Sequence, residues 1–226
     1  MQETQESVEI LLKKGLKVYK ENLVESFNYN SGIINSIRTN KNEIFGDEFV
    51  IASGAWSENL LKKLRIKLLI QAGKGYRINL FKKTGISYPA ILLEDKVAVT
   101  PMDGFTRFGG TMEIAGLNTK INFKRVNAIA RSSEKYYEGL KIPTQNINDA
   151  QCGLRPLSPD GLPFIGRHSL YNNLVLATGH SMMGWSLGPA TGKLVSEIIS
   201  GKKNQFLLIL LIPKENLDNN LEIIDF

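Results

Sequence analysis

A chain of 226 residues with 42% apolar side chains is long enough for one domain, or one and a half, with a real core. Its net charge of +6 raises nucleic acid or an anionic surface as partners, but the lysines are scattered, adjacent only at Lys13-Lys14, Lys62-Lys63, Lys82-Lys83 and Lys202-Lys203. No basic face or stacking motif accompanies them, which speaks against nucleic acid; Cys152 is the only cysteine, so an internal disulfide is ruled out and a reducing compartment is expected.

The start, Met1-Gln2-Glu3-Thr4-Gln5-Glu6, is polar and acidic, unlike a signal peptide. Residues 4–14 carry Val8, Leu11 and Leu12 with Gly15 as a stop, which predicts a short helix. Residues 16–19 read as a strand. Residues 23–30 and 33–39 flank Ser31-Gly32 and read as a β-hairpin. Residues 48–52 form a short apolar strand that ends at Ser53-Gly54-Ala55-Trp56, and Ser57 is placed to cap a helix through Lys63. From Lys67 to Ala115 strands are expected over residues 73–80, 90–100 and 106–114, separated by Gly, Pro and Asp turns. Residues 122–140 return to helix, with Phe123, Val126, Ile129 and Tyr137 on one apolar face. A strand over 174–178 and a helix near 190–200, closed by Gly201, complete the pattern. The longest apolar run, 206–212, is far too short to span a bilayer.

This order predicts an α/β (α+β) fold. Residues 1–56 and 141–203 would make one domain, residues 57–140 an inserted antiparallel β-sheet domain, and residues 204–226 a tail. A cleft between two domains is a common location for a ligand pocket.

Two late segments concentrate glycine and proline around a few polar groups. They are Gly153-Leu154-Arg155-Pro156-Leu157-Ser158-Pro159-Asp160-Gly161 and Gly179-His180-Ser181-Met182-Met183-Gly184-Trp185-Ser186-Leu187-Gly188-Pro189. The second runs from a strand towards a helix, so free N–H groups and a positive dipole end would face an electron-rich ligand. Together with Val50-Ile51-Ala52-Ser53-Gly54-Ala55-Trp56, Gln71-Ala72-Gly73-Lys74-Gly75-Tyr76 and Gly109-Gly110-Thr111-Met112-Glu113, these segments resemble the D-amino-acid oxidase superfamily of flavoproteins. The Gly-Leu-Arg-Pro and Gly-His-Ser-Met-Met-Gly-Trp runs look like its bacterial D-amino-acid dehydrogenases.

The resemblance implies a partial FAD-binding domain with an inserted substrate sheet, and FAD as cofactor. Ser53, Gly54, Ala55, Trp56, Gly153, Gly179, Met183, Gly184, Trp185, Ser186 and Leu187 would lie against FAD. Arg155 would clamp the substrate carboxylate, because a guanidinium matches its two oxygens in one plane; the alternative is a structural arginine bonding its own loop. Tyr76 and His180 are further substrate-pocket candidates, although an inward-facing strand tyrosine and a structural histidine are the plainer readings. Asp160 is expected to order its loop through an Asx-type turn.

No metal-ligand cluster and no Ser-His-Asp triad stand out in the sequence, and no protein group is singled out as catalytic. The family's opening G-x-G-x-x-G turn has no counterpart here. The chain would then be the C-terminal part of a longer enzyme, or a non-catalytic fragment or subunit that needs a separate Rossmann polypeptide. The implied reaction is oxidative deamination of a D-amino acid to a 2-oxo acid, with electrons passing to a quinone or another acceptor. A glycine, sarcosine or D-hydroxyproline oxidoreductase is the alternative. A cytoplasmic location is expected, with peripheral attachment to the inner membrane face as the variant.

Overall fold

The computed structural model describes residues 2–202, with side chains from residue 8 onward. The expected tail, 204–226, lies outside the described residues. The chain divides into two compact units at Asp47/Glu48.

The first unit opens with α1 (Gln2–Lys13), which stops at Gly15 in the left-handed region, φ +97°. Residues 16–19 do not form the expected strand. No described strand pairs with them, and Leu16, Val18 and Tyr19 stay exposed, so β-favouring side chains alone do not hold an extended segment. The hairpin forms as expected from β1 (Val24–Asn30) and β2 (Ile33–Thr39). Ser31 and Gly32 both take positive φ at its turn, which matches the twist of the flanking strands. A third antiparallel strand, β3 (Glu43–Phe45), follows. Its Glu43 accepts from Ser36 Oγ and Asn28 Nδ2, both at 2.5 Å; the Ser36 bond, then the Asn28 bond, holds this carboxyl below its ordinary value.

The second unit is built on two sheets. One is formed by β4 (Phe49–Ile51), β10 (Phe164–Arg167) and β11 (Leu174–Thr178), in the order β10-β11-β4. β4 and β11 run parallel, with Val50 opposite Val175. The other sheet has five antiparallel strands in the order β6-β7-β8-β5-β9. These are β5 (Gln71–Leu80), β6 (Ala90–Leu92), β7 (Val97–Met102), β8 (Phe105–Ile114) and β9 (Gln151–Leu157).

The single strand expected over 90–100 is a hairpin, because Glu94-Asp95-Lys96 turns and Lys96 takes φ +54°. α2 (Ser57–Leu61) is capped at Trp56 without a side-chain bond; Ser57 is buried and uses its hydroxyl elsewhere. The helix expected over 122–140 is α3 (Phe123–Tyr136), followed by the short α4 (Thr144–Asn148). α5 (Gly184–Ile199) starts six residues earlier than expected and holds Pro189 inside it.

α3 packs on β5, β7 and β8. Val126 and Ile129 meet Ile78, Val97, Val99 and Phe108 in the buried core on that side. Along β5 the pleat sends Ala72, Lys74, Tyr76, Ile78 and Leu80 into buried positions. Gly73, Gly75, Arg77 and Asn79 therefore share the opposite face.

Candidate functional site

Two turns meet at the carboxyl ends of the parallel strands β4 and β11. Ser53 Oγ lies 3.0 Å from Ser57 Oγ, and Ser57 Oγ lies 2.8 Å from Thr178 Oγ1. Thr178 Oγ1 also donates to the Gly54 carbonyl at 3.2 Å. This hydroxyl chain fixes the short 3-10 turn Gly54–Trp56 beside the end of β11. Ala55 is buried by it, while Trp56 stays exposed.

Gly179 follows with φ +82°, and a Cβ there would stand 2.8 Å from Phe164 Cδ2, so only glycine fits without strain. His180 pairs with β9 at Leu157, and the Ser181 amide donates to the Pro156 carbonyl at 2.9 Å. The carboxyl end of the Arg155 strand is thereby tied to the turn entering α5. The His180 ring is engaged by α5, with Nε2 2.9 Å from Thr191 Oγ1. Burial pushes its pKa down, so it stays neutral near pH 7.

Gly184, Trp185 and Ser186 open α5, and the first intrahelical bond that closes on its cap is Leu187 N to Met183 O at 2.9 Å. Their amides have no carbonyl one turn back within the helix. Around them Met182, Met183 and Trp185 are exposed, Trp185 to 72%. Donor amides ringed by apolar side chains suit a flat aromatic ring with an electron-rich edge. The residues present therefore fit the flavin of FAD.

Arg155 sits in mid-strand on β9, not in a loop. It pairs with Gly73, while Gly153 pairs with Gly75. Its head reaches back across Gly75: a Cβ on Gly75 would come 2.0 Å from Nη1 and 2.7 Å from Cζ. Nη1 is buried and has no hydrogen-bond partner. The head belongs to a cavity of about 350 Å³ on the open face of the sheet, shared with Arg77 and Arg107 and floored by Gly75, Gly109 and Gly153.

The other face carries a different cluster. Tyr76 is an inward-facing core residue, and its hydroxyl donates to Glu113 Oε2 at 2.7 Å. Burial, then the Glu113 bond, pushes the phenol up to about 12. The Lys74 side chain is 2% exposed and donates to Asn118 Oδ1 at 2.7 Å and the Lys120 carbonyl at 3.0 Å. Arg125 Nε lies 2.9 Å from Glu113 Oε2 and links α3 to this group. The Tyr76 bond, ahead of Lys74 and Arg125, holds the Glu113 carboxyl below its ordinary value.

Cys152 lies half-buried beside Tyr76's core and points its thiol at the Thr119 carbonyl, 3.4 Å away. Asp160 Oδ1 accepts from the Leu162 amide at 3.0 Å, the expected Asx-type turn. Arg77 and Arg107 were not among the expected site residues; only the strand register brings them to Arg155. Among the described residues no group of three or more His, Cys, Asp or Glu could hold a metal, and no helix is long and apolar enough to cross a membrane.

Comparison with known proteins identifies the family to which these residues belong. Residues 4–198 match the DAO family model, described as FAD dependent oxidoreductase. The D-amino acid dehydrogenase of Granulibacter bethesdensis is 31% identical over 204 residues, 88% of this chain and 48% of that protein. The chain thus spans about half the length of the curated relatives it matches. Among solved structures, glycine oxidase from Geobacillus kaustophilus aligns with TM-score 0.72 at 22% identity, over 85% of this chain and 52% of that one. The FAD complex of glycerol-3-phosphate dehydrogenase from Bacillus halodurans aligns with TM-score 0.69 at 18% identity, over 84% and 40%.

Proposed function

The chain belongs to the DAO family of FAD-dependent oxidoreductases, and within it we propose that this chain supplies the substrate sheet and flavin-facing turns of an enzyme that deaminates D-amino acids. The observation that carries the reading is the Arg155 head: buried Nη1 without a partner, laid over a glycine, in a cavity with no carboxylate in its lining. A guanidinium placed this way takes a planar carboxylate through two parallel charge-assisted bonds.

FAD, when bound, supplies the acceptor for the hydride that leaves the substrate's Cα. The residues that would hold it are the 53–56 turn, fixed by the Ser57–Thr178 pair, and the α5 amides with Met183 and Trp185. The positive end of α5 would stabilise the negative charge that reduction leaves on the ring. Arg155 orients the amino acid, and the Pro156–Ser181 bond keeps the Arg155 strand in register with the α5 turn. Loss of hydride from Cα and of a proton from nitrogen gives the imine, which water hydrolyses to the 2-oxo acid and ammonia. No strong base is needed from the chain, in keeping with burial making His180 a weaker base and Thr191 engaging its Nε2.

A G-x-G-x-x-G turn provided outside this sequence would hold the FAD pyrophosphate, and a quinone or another acceptor would reoxidise the flavin. Calorimetric titration of the chain, with FAD present, tests the reading. D-alanine should bind, and Arg155→Lys should weaken that binding roughly thirtyfold to a hundredfold. Equal binding by both proteins would remove Arg155 as the clamp.

A further inference from the structure

The cavity carries more positive charge than one α-carboxylate requires. Arg77, Arg107 and Arg155 all line it, and no Asp or Glu does. Among the described residues, none of the three makes a salt bridge. Two are held in place by neutral amides instead. Arg77 Nε and Nη2 donate to Gln151 Oε1 at 3.2 and 2.5 Å, and Arg107 Nε donates to Asn79 Oδ1 at 3.0 Å. Burial, and then the neighbouring Arg77, pulls Arg107 below its ordinary value, so the pair is close enough to repel. Cations positioned together without compensation gain when an anion arrives between them.

The register sets a direction. Arg155 lies over Gly75, and Arg77 roots two residues further along β5, about 7 Å away at strand spacing. Arg107 follows on β8, opposite Asn79. Gly75 pairs with Gly153, and Gly109 pairs with Arg77, so the floor between the charged heads has no side chains. A ligand held by its α-carboxylate at Arg155 therefore meets a second cationic pole one short side chain away.

We propose that this cavity selects amino acids whose side chain carries a second carboxylate, such as D-glutamate or D-aspartate, with Arg77 and Arg107 holding the side-chain anion. The inference rests on Arg155 holding the α-carboxylate.

Calorimetric titration with FAD present separates the outcomes. D-glutamate should bind at least about tenfold more tightly than D-alanine, the scale of one charge-assisted contact. Arg77→Gln, at an exposed strand position, should cut that preference below threefold, and Arg107→Gln should do the same in protein of unchanged circular dichroism. Equal affinity for D-glutamate, D-alanine and D-lysine, or a preference that survives Arg77→Gln, overturns the proposal. Inorganic phosphate matching D-glutamate would show a plain anion site and overturn it too. If no amino acid binds, the reading of Arg155 fails with it; if D-alanine binds normally without the preference, only the dicarboxylate inference fails.

Discussion

Gly75→Ala is the sharpest perturbation of the Arg155 geometry, because it leaves the arginine in the sequence and moves only its head. The new Cβ would lie 2.0 Å from Nη1 and 2.7 Å from Nη2. The guanidinium would have to retreat by about 1.4 Å to restore the 3.4 Å at which ordinary contact begins. A retreat of that size breaks the two-point match to a carboxylate. Losing one charge-assisted bond costs about 1.5–3 kcal/mol, or roughly tenfold to a hundredfold in affinity. Folding should be spared, since Gly75 is not among the positive-φ glycines. Alanine there reduces the freedom of the unfolded chain, worth about 0.4–1 kcal/mol of stabilisation. The assay pairs amino-acid titration with a thermal melt. Weakened binding at an unchanged or higher Tm is expected. Affinity within threefold of wild type would refute the clamp, and a collapsed melt would show that the Gly75–Arg155 approach is a folding contact.

Arg155→Lys keeps the charge but loses the planar fork, so kcat/KM of the enzyme completed with its Rossmann element should fall roughly thirtyfold to a hundredfold, with the bound-flavin spectrum unchanged. Gly179→Ala forces a Cβ to 2.8 Å from Phe164 at φ +82° and should lower Tm by several degrees, about 2–4 °C per kcal/mol for a chain of this size. Thr178→Val leaves the Ser57 hydroxyl with Ser53 alone and removes a donor from the Gly54 carbonyl, and should cost about 0.5–1.5 kcal/mol in urea unfolding; an unchanged midpoint would remove the hydroxyl chain from the account. Glu113 has a depressed folded pKa, so its contribution is full above its ordinary value of 4.5 and is lost as pH falls through the folded value. Glu113→Gln should therefore flatten the loss of Tm with acidification from about pH 5 downward; an unaltered slope would contradict the assignment.

Local signals carried the hairpin and the larger helices. Ser31-Gly32 announces a tight turn, and Val126 and Ile129 share a helical face that becomes the core side of α3. Where partners decide, local reading fails. Residues 16–19 look like a strand but have no neighbour to pair with. Gly153–Pro156 looks like a loop, yet β5 pairs with it residue by residue. Gly184, Gly188 and Pro189 obscure the start of α5, which packs on β10 and β11 despite poor propensity. Arg155 and the two turns proposed to face the flavin were singled out through the family motifs. Arg77 and Arg107 were not, because they reach Arg155 only through register across three strands, which no local pattern encodes.

The central claim is that this chain presents an amino acid to a flavin through Arg155. It is tested most directly by completing the chain with a polypeptide that carries the G-x-G-x-x-G turn, loading FAD and mixing with D-amino acids in the absence of oxygen. The account predicts loss of the oxidised flavin's visible absorbance, with stoichiometric 2-oxo acid and ammonia, and a much slower loss in Arg155→Lys. A flavin that stays oxidised with every D-amino acid, or one reduced equally fast in Arg155→Lys, would contradict it.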